Sequence, residues 1–290
     1  MSTLQQPWAG PQVDAALAAD IAVRRPRGFD HRLAGHPLMS IDAIAELGQE
    51  LGPDSISAED AVKPLVTAEP AFRELAAEAI ADRIRSLAAA DSWFTLLNIE
   101  QERAYRELVD ELVEGVAERA GLDPAGLRRR MGFVFASSPG SVTPAHFDIE
   151  HSLLMQLRGR RRLSFGRFGS PEVREREINR YWTGSSFGRL ESMPEPVSEL
   201  ELGPGSGAYI PPYTPHWLSN GEEASYSLTV TFFERSNEDE SRVQVLNERL
   251  RRLGITPKPY GAAPARDRSK AALMRWYAGM RRREETSRSH

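Results

Sequence analysis

The chain has 290 residues, of which 40% are hydrophobic and 27% are charged, a composition that fits a folded globular protein and argues against a disordered or fibrous one. Its formal net charge of -4 gives no overall attraction to phosphate backbones, so nucleic acid is not an expected partner. There is no cysteine, which excludes disulfides and zinc–thiolate sites, and no apolar run long enough to cross a membrane. We therefore expect a soluble, cytoplasmic protein in which nitrogen and oxygen ligands hold any metal.

Helical patterns dominate the N-terminal third. The first 35 or so residues show no periodicity, and we expect an irregular arm there. Ser40 is a favourable N-cap for a helix that runs to Leu51. A longer helix is expected over residues 71–89. The apolar residues at helical spacing are Ile41, Ile44, Leu47 and Leu51 in the first helix and Phe72, Leu75, Ile80, Ile84 and Leu87 in the second.

A strand and a third helix follow. The compact apolar stretch 93–99 predicts a buried strand. Residues 100–120 carry one apolar helical face and stop at Gly121, since glycine is favoured just after a helix. Asp123 and Pro124 then predict a short helix, because aspartate caps a helix and proline fits its first turn.

From Met131 the pattern changes to short apolar or alternating runs separated by Gly, Pro and Ser, which is typical of a β-barrel or sandwich. These runs lie at residues 132–136, 146–157, 160–168, 207–210 and 225–234. The sequence therefore predicts a mainly β fold with helical additions. The expected division is an arm with helices over 1–92, a barrel over 93–234 and a helical tail over 235–290.

Two further regions are a polar segment between the barrel strands and the tail that follows the last strand. Residues 169–198 are longer than a simple connection needs, and we expect a functional lid or an insertion. The tail carries two apolar stripes at helical spacing, each flanked by Arg and Glu, which either pack on the protein's own barrel or form a contact with a second copy. The stripes consist of Val243, Leu246, Leu250 and Leu253, and of Leu273, Met274, Trp276 and Tyr277.

Three residues form a candidate metal site. His146 and Asp148 are two positions apart, so in a strand they project from the same face. His216 follows a Pro-rich turn after a later strand, from which it can approach across a barrel. Two imidazoles and a carboxylate match the facial triad of non-heme Fe(II) oxygenases, which leaves coordination positions for a cosubstrate and dioxygen. Taken alone, His146 is better explained as a hydrogen-bonded core histidine, and it is the strand context together with His216 that favours the metal site.

The hairpin after this strand carries a run of arginines. Period-two alternation places Arg161 on the apolar face and Arg160 and Arg162 on the opposite face. A cation pointing into a barrel requires an anion, and an arginine fork can bind the distal carboxylate of 2-oxoglutarate in bidentate fashion. The alternative is that all three arginines are surface charges on an exposed hairpin.

The stretch from Ser141 to Gly166 resembles the cupin-like branch of the JmjC hydroxylases, the branch that includes the asparaginyl hydroxylase acting on hypoxia-inducible factor. The matching motifs are the Thr-Pro-Ala-His-x-Asp run at 143–148, a basic residue at Arg161 and an Ile-Pro-x-x-x-x-His turn at 210–216. The resemblance covers roughly residues 93–234. It implies a double-stranded β-helix of cupin or jelly-roll type, flanked by N-terminal and C-terminal helices.

The resemblance also implies an activity and a set of site residues. Fe(II) is expected at His146, Asp148 and His216, and 2-oxoglutarate, consumed with dioxygen, is expected at Thr143 and Arg161. The chain departs from the relative at Arg161, where the relative has Lys, and at Thr231, where it has Asn. The difference at Arg161 keeps the charge and alters the geometry. With these departures, the identity of the substrate cannot be transferred from the relative.

Other polar and aromatic residues around the predicted barrel are assigned with less specific evidence. Ser152 and Thr231 are candidates for contact with the cosubstrate, and Gln156 shares the inner face with Ser152, although polar groups of a satisfied core explain the pattern equally well. His151 is expected to support the site or lie on the surface. Tyr181 and Trp182 are expected to line a substrate cleft or to cover the edge of the barrel. His31 and His36 are expected to have structural roles.

The expected function is hydroxylation of a peptide or protein side chain by an Fe(II)- and 2-oxoglutarate-dependent dioxygenase. A small metabolite is the alternative substrate, and a non-catalytic cupin-like binding protein is the alternative from another class. Because the relative dimerises through C-terminal helices, the resemblance favours a homodimer formed by the tail.

Overall fold

The computed structural model describes residues 8–61, 63–66, 79–89, 91–184 and 188–288, with side chains to residue 280. Two antiparallel sheets face each other, one of seven strands in the order β1-β9-β6-β11-β4-β3-β2 and one of four in the order β5-β10-β7-β8. The strands are β1 (Arg27–Asp30), β2 (Ile56–Glu59), β3 (Trp93–Leu96), β4 (Arg128–Ser137), β5 (Val142–His146), β6 (His151–Arg158), β7 (Arg161–Arg167), β8 (Glu195–Leu202), β9 (Ser206–Ile210), β10 (His216–Asn220) and β11 (Ser225–Phe233). The predicted double-stranded β-helix is confirmed.

The seven-stranded sheet separates two environments. Side chains on its outer face, such as Phe94, Val134 and Leu228, are fully or almost fully buried in the main apolar core under the N-terminal helices. Side chains on its inner face, such as Phe135 and Thr229, line the cavity between the sheets. The alternation of strand residues therefore places a dry core on one side and a site on the other.

The helices described in the N-terminal part are α1 (Ala15–Val23), α2 (Ile41–Leu51), α3 (Ile80–Arg85) and α4 (Arg103–Ala120). The predicted cap of α2 is confirmed, because the Ser40 hydroxyl accepts a hydrogen bond from Ala43 N–H. α4 ends at Gly121 with φ +69, a left-handed conformation that glycine adopts without strain. Residues 71–78 of the predicted longer helix, with Phe72 and Leu75, lie outside the described residues.

The expectation of an irregular N-terminal arm is wrong for the described part. α1 is capped by Asp14, whose carboxylate accepts from Leu17 N–H, and β1 pairs with β9 along the edge of the large sheet. Leu17 and Ile21 are buried in the main core. The Ala-rich sequence of α1 carries little contrast between its faces, so periodicity could not reveal it. The division of the chain at residues 92 and 234 stays a prediction, although β1 and β2, both before residue 93, extend the large sheet.

The polar segment 169–198 is not one long loop. Its first half forms α5 (Pro171–Trp182), where Ser170 caps Val173 N–H, and its end forms part of β8, which pairs with β7. Residues 185–187 lie outside the described part. β8 alternates glutamate with apolar residues on an exposed edge, and such a charged pattern discourages pairing with another sheet.

The tail forms α6 (Arg235–Arg252) and α7 (Pro264–Arg288), as expected. The buried face of α6 is mostly polar, and of its predicted apolar stripe only Val243 is fully buried, while Leu253 is 76% exposed. The second stripe on α7 is exposed at Leu273 and Trp276. Within the described residues, no helix combines the length and the apolar character needed to span a bilayer.

Candidate metal and cosubstrate site

His146, Asp148 and His216 meet at the mouth of the cavity. One ligand atom from each lies within 4.8 Å of the other two, and the two imidazole rings are 4.1 Å apart. The Nδ1 of His146 is 2.8 Å from the Pro144 carbonyl, and the Nδ1 of His216 is 3.0 Å from the Thr214 carbonyl. Because a carbonyl only accepts, each Nδ1 carries the hydrogen and each Nε2 offers its lone pair to a shared ion.

Two chain segments bring the triad together. β5 and β10 are antiparallel neighbours in which His146 is paired directly with His216. The sequence predicted His146 and Asp148 in one strand, and this is wrong for Asp148. β5 ends at His146, so Asp148 lies just beyond the strand. Its position is fixed by the backbone, because Tyr213 N–H donates to the Asp148 carbonyl at 2.6 Å. Tyr213 has φ +57, a left-handed conformation that is uncommon for a bulky residue and bends the Pro-rich turn toward Asp148.

Electrostatics at the triad favour metal binding. Burial lowers the pKa of His146 to about 4 and that of His216 to about 4, so both rings are neutral at physiological pH, as ligands must be. Burial raises the pKa of Asp148, partly offset by His216. The Asp148 side chain is 37% exposed, and it faces the cavity. A divalent cation would stabilise this carboxylate in its charged form.

Arg161 lies in the same cavity, as alternation predicted. It is 3% exposed, and its guanidinium donates to the Ser227 hydroxyl at 3.0 Å and to the Thr143 hydroxyl at 3.4 Å. No carboxylate of the described residues forms an ion pair with it, and burial lowers its pKa to about 10. Arg160 and Arg162 are exposed on the other face, where Arg162 pairs with Glu201 at 2.7 Å. An unpaired buried guanidinium fits an anionic ligand.

Several polar atoms that face the cavity have no hydrogen-bond partner among the described residues. They include Ser152 Oγ, Thr229 Oγ1 and Thr231 Oγ1 on the large sheet, all on residues at most 7% exposed, and Arg161 Nε on β7 of the smaller sheet. Buried polar groups are normally satisfied, so a cluster of orphans around a cavity of about 360 Å³ indicates a polar ligand. The residues present therefore fit Fe(II) and a dicarboxylate cosubstrate.

Sequence reasoning missed two further parts of the cavity wall. Glu59, at the end of β2, accepts two hydrogen bonds from Arg189 at 2.5 and 2.7 Å and pairs with Lys63 at 3.1 Å. Glu150, next to the triad, has its pKa raised to about 7 by burial and then by the charge of Asp148. No metal-ligand spacing involves Glu59 or Arg189, and only their tertiary contacts reveal them.

Some of the other residues that the sequence singled out lie in the cavity wall, and others lie outside it. His151 is fully buried behind the site, with Nδ1 2.8 Å from the Tyr209 hydroxyl, so a surface position is excluded. Gln156 donates to the Ser225 hydroxyl and to backbone carbonyls and does not line the cavity. Tyr181 lines the cavity, whereas Trp182 packs in the neighbouring apolar cluster. His31 and His36 accept hydrogen bonds from nearby backbone N–H groups, which agrees with a structural role.

The fold and the His-Asp-His ligand set match the pattern of cupin oxygenases that use Fe(II), in which the remaining coordination positions serve a cosubstrate and dioxygen. More narrowly, residues 128–240 match the family model described as the JmjC domain. The matched range includes the triad and Arg161.

Solved structures show the same fold over most of the chain. One structure of YcfD, a ribosomal oxygenase from Escherichia coli, aligns with a TM-score of 0.50 and 16% identity, covering 93% of this chain and 68% of that one. A second structure of Escherichia coli YcfD aligns with a TM-score of 0.52 and 17% identity, covering 93% and 69%. At this identity the likeness concerns the fold. No curated protein matches the sequence.

Proposed function

We propose that this protein is a dioxygenase that hydroxylates a peptide or protein side chain, with His146, Asp148 and His216 as the ligands of Fe(II). The observation that carries the proposal is Arg161, a buried cation in the cavity of the triad that has no carboxylate partner among the described residues. A non-catalytic module has no need of an anion site at this position.

Each residue of the site has a defined task. The triad would hold the ion and leave other coordination positions for ligands. Arg161 and Thr143 would bind and orient the distal carboxylate of 2-oxoglutarate. Ser152 and Thr231 would offer their hydroxyls to the cosubstrate. The apolar walls of the cavity exclude water. Bound Fe(II) and 2-oxoglutarate supply the oxidising chemistry, which the protein directs to one substrate group.

The substrate class, the location and the assembly belong to the same proposal. A protein side chain as substrate is supported by the shared fold with a ribosomal oxygenase. A cytoplasmic location agrees with the use of a central metabolite as cosubstrate. A homodimer through the tail is supported by the exposed apolar side chains of α7, where Trp276 is 62% and Leu273 52% exposed.

The test is Fe(II)-dependent formation of succinate from 2-oxoglutarate. Protein prepared without oxygen, loaded with Fe(II) and then aerated should convert 2-oxoglutarate slowly even without substrate. Asp148→Ala and His146→Ala should abolish this conversion, while Asp54→Ala, at an exposed position outside the cavity, should leave it unchanged. Equal conversion by wild type and both triad variants would show that the ligands are wrongly assigned.

A further inference from the structure

β5, the strand that carries His146, lies at the edge of the four-stranded sheet, so only one of its sides pairs with a regular strand, β10. Two short pieces of chain cover the other side. The carbonyls of Ala61 and Leu65 accept hydrogen bonds from N–H groups of β5 at 2.9 and 2.7 Å, and residues 188–190 pair with the end of the strand at His146. A metal ligand at the end of an edge strand depends on such a cover, because strand ends open more easily than a core.

The segment 188–190 holds the backbone on both sides of the first triad residue. The N–H of Leu190 donates to the Ala145 carbonyl at 3.0 Å. The N–H of Phe147 donates to the Gly188 carbonyl at 3.1 Å. Gly188 lies so close to this backbone that a Cβ there would be 2.2 Å from the Phe147 carbonyl oxygen. Because Phe147 separates the first two ligands of the triad, the segment holds both the end of the strand and the step to the second ligand.

The side chain of Arg189 ties this segment to the other sheet. One guanidinium nitrogen donates to both carboxylate oxygens of Glu59, at 2.5 and 2.7 Å. Glu59 ends β2, the edge strand of the seven-stranded sheet, and is 2% exposed. Lys63 is a second partner of Glu59 at 3.1 Å, and its ammonium lies 4.1 Å from the centre of the Trp93 ring. The ion pair of Glu59 and Arg189 therefore joins the edges of the two sheets in the wall of the cavity.

A buried ion pair is better suited to fixing geometry than to adding stability. The cost of desolvating two charges largely cancels their attraction, so the pair adds little free energy of folding compared with apolar side chains of similar volume. Its hydrogen bonds are short and directional, and they hold both partners in one arrangement. Among the described residues, only the triad side chains gather at ligand distance. The effect of Glu59 on a metal at the triad therefore passes through Arg189.

We propose that Glu59 and Arg189 are positioning residues of the metal site. This rests on the proposed function, because it takes the triad as the ligands of Fe(II). The ion pair holds segment 188–190 against β5, and that segment fixes His146 and the amide that follows it. Ligands must stay within about 0.5 Å of their productive geometry, so a segment that is free to shift would weaken metal binding. The large sheet, which carries none of the three ligands, thereby helps to set their positions.

The experiment compares variants of the full-length protein with Co(II) as the probe metal, since Co(II) accepts the same ligands as Fe(II) and oxidises less readily. Three quantities are measured: the affinity for Co(II), its visible absorption spectrum, which reports ligand geometry, and the free energy of unfolding of the metal-free protein. Arg189→Met leaves Glu59 paired with Lys63, so no buried carboxylate loses all its partners. Arg180 on α5 still pairs with Glu191 at 3.0 Å, which keeps the neighbouring chain in place.

Two further single variants and one double variant complete the set. Arg189→Lys keeps the charge and loses the planar guanidinium. The matched control is Arg130→Met, because Arg130 is 17% exposed, pairs with Asp110 at 2.9 Å and with Glu114 at 2.8 Å, and lies outside the cavity. This control should lower the free energy of unfolding while the affinity for Co(II) and the spectrum stay those of the wild type. The double variant combines Glu59→Gln with Arg189→Met.

Arg189→Met should bind Co(II) about 10- to 100-fold more weakly, the loss typical of a residue that orients a metal ligand, and its spectrum should change. Arg189→Lys should recover part of the affinity. The double variant should bind Co(II) as Arg189→Met does, because Glu59 acts through Arg189. Wild-type affinity and spectrum in Arg189→Met, an equal loss in Arg130→Met, or a large further loss in the double variant would overturn the inference. Equal binding of Co(II) by the wild type and His146→Ala would instead overturn the proposed function.

Discussion

Replacing Arg161 by methionine tests the cosubstrate site, because it should weaken the binding of 2-oxoglutarate without lowering the stability of the ligand-free protein. Arg161 is 3% exposed, and its pKa of about 10, against an ordinary 12.5, corresponds to roughly 3 kcal/mol against the charged form. Methionine has a similar length and no charge, so Arg161→Met removes this cost from the free protein. It also removes the partner of the cosubstrate carboxylate.

The expected results follow from this balance. The free energy of unfolding of the ligand-free protein should stay unchanged or rise by about 1–3 kcal/mol, as when a buried ion is replaced by an apolar group. Binding of 2-oxoglutarate should weaken by roughly 2–5 kcal/mol, the range for a broken desolvated charge pair. Arg161→Lys should lose less, because the charge remains while the planar fork is lost.

The assays are urea unfolding of the metal-free protein and anaerobic titration of the Fe(II) protein with 2-oxoglutarate. The controls, Arg160→Met and Arg162→Met, lie on the same hairpin but are exposed. Similar losses of affinity in all three variants, or a strongly destabilised Arg161→Met with normal affinity, would refute the assignment of Arg161 as the anchor.

Three further predictions concern pH, backbone and assembly. Burial lowers the pKa of His151 to about 3 in the folded state, below the unfolded value of 6.5. As pH falls, the unfolded chain therefore binds a proton before the folded protein does. The free energy of unfolding decreases as pH falls below about 6.5. His151→Phe should reduce the loss of unfolding free energy between pH 7 and pH 5 by about 2 kcal/mol, and an unchanged loss would contradict this account. A Cβ on Gly188, at φ +81, would lie 2.2 Å from the Phe147 carbonyl oxygen, so Gly188→Ala should lower the free energy of unfolding by roughly 2 kcal/mol or more. The control is Gly184→Ala, where φ is the same and no described atom lies within 4 Å of the added Cβ. The control should lower the free energy of unfolding clearly less. Trp276→Glu should convert a dimer to a monomer in light scattering, and a monomeric wild type or a dimeric variant would remove α7 from that role.

Local patterns predicted the features that depend on local periodicity. The inward position of Arg161 follows from alternation along β7, and the caps of α2 and α4 follow from Ser40 and Gly121. The triad could be proposed because its spacing reflects one strand and one turn. For the caps and for Arg161 the decisive information lies within a few neighbouring residues, and for the triad it lies in two short motifs, at 143–148 and 210–216.

The other features of the site depend on tertiary contacts, which the spacing of residues in the sequence does not reveal. Glu59 and Arg189 are 130 positions apart, and they meet because the segment after β2 and the segment after α5 both form backbone hydrogen bonds with β5. α5 was hidden in a polar stretch, since its mostly polar sequence shows a narrow apolar face around Ile178. Glu150 resembled an ordinary charge at a strand entrance, and only its place in the cavity wall separates it from a solvated one.

The hydrogen bond from Tyr213 to the Asp148 carbonyl bears on how the protein recovers from loss of iron. Because the backbone itself joins the turn before His216 to the turn after His146, the spacing of the ligands does not depend on the ion. Such preorganisation lowers the ordering cost of binding. Iron that is oxidised or removed by a chelator can then be replaced without refolding, so repeated cycles of stripping and reloading should restore full activity as long as Tyr213 holds its left-handed turn.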